Sequence, residues 1–94
     1  MTDESWRRAW SKTAVQELVH TLNIKSERQV REIFWMVGAK RSGQVYSALK
    51  DMLLDVKNYD AIYRERVAPD PDATVLFNDM VTKLAVAYFY SSVP

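Results

Sequence analysis

Ninety-four residues make one small domain, and a chain that is 48% hydrophobic and 27% charged has a globular rather than a disordered balance. The absence of cysteine excludes a disulfide framework and thiolate metal centres, and a single histidine excludes a two-histidine metal site and most histidine-centred triads. The net charge of +1 is unevenly spread: Ser5 to Lys50 carries nine basic and three acidic residues, Asp51 to Pro94 four basic and seven acidic.

The first predicted helix runs from about Asp3 to Asn23. Trp6, Trp10, Ala14 and Leu18 recur at i, i+4, with Val15, Val19 and Leu22 beside them, while Arg7, Arg8, Lys12 and Glu17 point elsewhere. Thr2 or Asp3 can cap it. Ile24 and Lys25 form a short joint, and Ser26 caps a second helix with Glu27 in its first turn. Val30, Ile33, Phe34 and Val37 give that helix its inward stripe, and Gly38 suits the left-handed residue that ends it. Gly38 to Gly43 is a turn carrying Lys40 and Arg41. Ser42 is the expected cap of a third helix reaching about Val56, with Val45, Leu49, Met52, Leu53 and Val56 inward, Tyr46 and Ala48 flanking, and Lys57, Asn58 and Tyr59 ending it.

Asp60 to Val67 reads either as a short helix or as an extended arm. Two prolines then break the chain at Pro69 and Pro71. Asp70 as cap and Pro71 as first helical residue open a last helix to about Ser91. Leu76, Phe77, Met80, Val81, Leu84, Ala87 and Tyr88 form its apolar face. The expected fold is therefore all-α, a compact bundle of four to five helices in a single domain over residues 1–94. Such a small core is marginally stable, so burial in a homo-oligomer would help it.

Chemistry-bearing patterns are sparse. Gly38 and Gly43 have the glycine spacing of a phosphate-binding loop, but Gln44 and Val45 stand where a lysine and a hydroxyl residue are required. Asp51 and Asp55 share a helix face without a cleft to separate their acidities, and no serine sits in a nucleophile elbow. His20, alone near a helix end, suits a structural role. No catalytic residue, cofactor, metal or small-molecule substrate is expected, and the chain is read as non-enzymatic.

Two binding readings remain. Ser26 to Met52 resembles a generic helix-turn-helix. In that alternative the helix from Ser42 to Lys50 would meet DNA, with Gln44 and Ser47 reaching bases and Lys40, Arg41 and Lys50 phosphates, in a dimer joined by the last helix. The pattern departs from the usual one: bulky Phe34 stands four before the turn glycine, where a small residue is usual, and no β-wing follows.

The first reading is a small regulatory protein that docks a protein partner, or its own copy, through a basic and aromatic surface. Arg7, Arg8, Arg28 and Arg31 would supply charge, and Trp35, Tyr46, Phe89 and Tyr90 apolar anchors. Trp35 adjoins Phe34, so the two cannot face the same core. The acidic start Met1, Thr2, Asp3, Glu4 is unlike a targeting signal, and the longest uncharged run, Leu84 to Pro94, is too short to span a bilayer. A cytoplasmic, non-membrane location is expected.

Overall fold

Helices pack on helices throughout the described residues, and no strand occurs among them. A computed structural model describes the backbone of residues 3–90 and the side chains of residues 8–89. The five α-helices there are α1 (Asp3–Leu22), α2 (Glu27–Met36), α3 (Gln44–Leu54), α4 (Tyr59–Arg66) and α5 (Pro71–Ala85). A single 3-10 turn (Val56–Asn58) leads into α4, and a π-helical turn (Val86–Tyr90) follows α5. The Cα radius of gyration, 12.5 Å, is that of one packed body.

The helix boundaries follow from local chemistry. Asn23 takes a positive φ of 51°, and the Ile24 amide turns back to the Val19 carbonyl at 3.2 Å, closing α1. Ser26 then opens α2 with a full capping box: its hydroxyl accepts from the Gln29 amide, and the Gln29 side chain accepts from the Ser26 amide at 3.0 Å. At the other end Gly38 sits at φ 69°. Its amide donates to Trp35 and the Ala39 amide to Phe34, the paired bonds of a Schellman end. Asp70 caps α5 by accepting from the Asp72 amide at 3.0 Å, with Pro71 as the first helical residue.

Several boundaries differ from the sequence expectation. Gly43 at φ 95°, not Ser42, precedes α3 and offers no side-chain cap; α3 stops at Leu54, short of Val56. Tyr59 begins α4 instead of ending α3. The segment from Asp60 is helix and not an arm, because Tyr59 and Tyr63 fall one turn apart and both are buried. Their rings stack at 6.0 Å and meet Phe77 of α5 at 6.2 and 5.4 Å. Arg66 ties the end of α4 back to Ser47 and Asp51 of α3. The α-winding of the last helix ends at Ala85, and the Thr2 cap and the end expected near Ser91 lie outside the described residues.

At the centre is α3, which packs on all four other helices and buries Val45, Tyr46, Ala48, Leu49, Met52 and Leu53. α1 lies along α5 and α3. Its buried stripe includes the polar Ser11, whose hydroxyl donates to Asn78 of α5 at 2.6 Å. Leu76 was expected inward, yet it emerges on the outer side of α5, one residue round from buried Phe77.

Candidate protein-interaction surface

Helix periodicity decides which α2 residues reach solvent. Val30 and Phe34 are fully buried, and the Phe34 ring stands edge-on to Tyr46 at 5.0 Å. Arg28, Arg31 and Trp35, spaced i, i+3, i+7, then share the outward face. Trp35 is 63% exposed and the neighbouring Met36 69%. The Schellman turn after α2 returns Arg41 to the same place. Arg28, Arg31, Glu32, Trp35 and Arg41 line one concavity of about 230 Å³.

The electrostatics of this concavity are lopsided. Glu32 accepts from the Arg28 Nε at 3.3 Å, an exposed i, i+4 pair. Arg31 and Arg41 make no ion pair among the described residues. Three guanidinium groups thus surround one carboxylate and one exposed indole. A guanidinium fork matches a carboxylate or phosphate in two parallel hydrogen bonds, and an indole supplies apolar area with few rotamers to freeze.

The other expected interface residues lie elsewhere. Arg8 is exposed on α1, with its guanidinium 4.6 Å above the Tyr63 ring. Tyr46 is a correction: it is 7% exposed and packed on Phe34, so it serves the core and not a surface. Phe89 is half-buried against the core. The side chains of Arg7 and Tyr90 lie outside the described residues.

The residues expected to read nucleic acid divide in two. Lys40, Arg41, Ser42 and Gln44 are exposed. Ser47 instead accepts from Arg66 at 2.8 Å, and Lys50 donates to Glu27 of α2 at 3.3 Å. The outward strip of α3 also carries Asp51, the carboxylate partner of Arg66. A phosphate approaching that strip meets a like charge and two engaged side chains. The connection from Val37 to Gly43 is also longer than the three or four residues of a tight helix-turn-helix.

A second feature is a trough between α5 and the α2–α3 connection. Two adjoining hollows, of about 400 and 410 Å³, share Asp79 and Lys83. Met36 and Val86 border one and Leu76 and Met80 the other. Sequence reasoning passed over this side because it assigned Leu76 to the core. The available signal was the 100° that separates Leu76 from Phe77 on the helix.

No family model, curated protein or solved structure matches this chain. Among the described residues, no helix is long and apolar enough to cross a membrane, and no group of three or more His, Cys, Asp or Glu side chains could hold a metal ion. Asp51 pairs with Arg66, and Asp55 accepts from Asn58 at 2.6 Å, so both have structural partners. His20 is exposed in the last turn of α1.

Proposed function

We propose that this chain is a small non-enzymatic binding protein that docks a protein partner on the outward face of α2. The observation that supports this reading most is the meeting of Arg28, Arg31, Trp35 and Arg41 around one concavity. Aromatic and arginine side chains dominate the binding energy of protein interfaces, and these are already exposed. The matching partner surface carries carboxylates beside an apolar side chain. Positive charge around the concavity steers such a partner, and the indole holds it.

The test is a photo-crosslinking residue placed at Trp35 in the source cells, with Lys57, exposed on the 3-10 turn, as control position. A discrete protein adduct is expected at the first position and not at the second. Arg28→Glu with Arg31→Glu should remove it while leaving the fold intact, because neither arginine is buried. Titration of random duplex DNA at low salt provides the opposing result. Tight binding that falls steeply with salt, and that Lys40→Ala weakens, would replace this reading with the nucleic-acid one.

A further inference from the structure

Among the described residues, the outer face of α5 and the first residue of the π-helical turn after it carry a row of exposed side chains. Leu76, Asp79, Lys83 and Val86 are all exposed, Leu76 by 47% and Val86 by 52%. Their spacing of three, four and three residues keeps them on one side of the helix, opposite the buried Phe77, Val81 and Leu84. Asp79 and Lys83 make no ion pair among the described residues, although both border the trough beside α5.

The order of these four residues is symmetric in character. Position 81 lies midway between Asp79 and Lys83 and also midway between Leu76 and Val86. Reversing the helix about that level exchanges anion with cation and apolar residue with apolar residue. We propose that α5 pairs with α5 of a second copy of this chain, antiparallel about a two-fold axis at the level of position 81. Asp79 of each copy then faces Lys83 of the other, and Leu76 faces Val86. A two-fold contact must be self-complementary, and this stripe meets that condition. A parallel pairing would set like charges against each other. Exposed Met36, across the hollow from Val86, extends the apolar margin.

This pairing is independent of the α2 surface and stands or falls separately from it. One helix face is small beside the roughly 800 Å² a side of a standard interface, so the dimer forms at high protein concentration. Sedimentation equilibrium across a concentration series reads it. The native chain should show a monomer–dimer equilibrium. Asp79→Lys places two cations in the stripe, and Lys83→Asp places two anions there. Each variant alone should weaken dimerisation by about tenfold or more. Mixed one to one, the two should form a heterodimer, because every facing pair is then opposite in charge. The double variant Asp79→Lys/Lys83→Asp should dimerise like the native chain. These positions are exposed, and circular dichroism confirms that each variant is folded. A native chain that stays monomeric at its highest soluble concentration overturns the proposal. So do single variants that dimerise undiminished, or a mixture that stays monomeric.

Discussion

Tyr59 shows how much a single position can depend on its surroundings. Among the described residues it is the largest fully buried side chain, and its buried hydroxyl has no hydrogen-bond partner. Burial pushes its phenol well above the ordinary value of 10.0; neighbouring Tyr63 and Asp60 add to the shift and Arg8 opposes it. An unpaired buried hydroxyl costs about 1–3 kcal/mol, so Tyr59→Phe should raise stability by roughly 1 kcal/mol in urea unfolding. The pH dependence has a definite sign. The folded state holds the proton more tightly than the unfolded state. Stability from this group is therefore complete below the ordinary tyrosine value and is lost as pH rises above it. The variant should have a shallower alkaline loss. Nothing in the sequence pattern marked Tyr59 or Ser11 as core. Tyrosine reads as a helix terminator after Lys57 and Asn58, and serine reads as polar, until Phe77 and Asn78 arrive from a distant helix to pack and bond with them.

At the scale of helices, the sequence was most legible where short-range rules act. The cap at Ser26, the Asp70–Pro71 start and the Gly38 end need only neighbours within a few residues, and all three are present. Gly38 gives a clean test. A methyl group added there meets nothing within 4 Å, so Gly38→Ala is penalised only by the positive φ. The expected loss is about 1 kcal/mol without repacking, measurable as a lower urea midpoint at constant slope. Boundaries set by tertiary packing were less legible. α4 is eight residues long, and its two tyrosines fix it by stacking against each other and against α5. The cap of α3 shifted from Ser42 to Gly43, where a left-handed turn re-aims the chain and no side chain closes the helix.

For the whole molecule, the all-helical fold and most of the core followed from periodicity alone. The separation of buried Phe34 from exposed Trp35 followed too, since adjacent residues on a helix face about 100° apart. The candidate surface was only partly legible. Arg28, Arg31 and Trp35 share one helix and could be grouped from spacing. Arg41 could not, because its place depends on the path of the chain from Val37 to Gly43. The burial of Tyr46 was not legible either, because it depends on how α2 and its Phe34 pack against α3. The result is a molecule with two differently built faces, an arginine–tryptophan concavity on α2 and a charge-alternating stripe on α5.

The Tyr88 phenol donates to the Ile33 carbonyl at 3.1 Å, so the π-helical turn after α5 grips the last turn of α2. α2 packs chiefly on α3, and this bond is a second anchor from a remote part of the chain. Local opening of α2 is therefore coupled to detachment of the turn at 86–90. Tyr88→Phe should speed amide hydrogen exchange in α2 while leaving the slow amides of α3 unchanged. Protection at Trp35 thus becomes a gauge of events more than fifty residues away in sequence, and a ligand that fastens the chain's end would also quiet the helix that carries the indole.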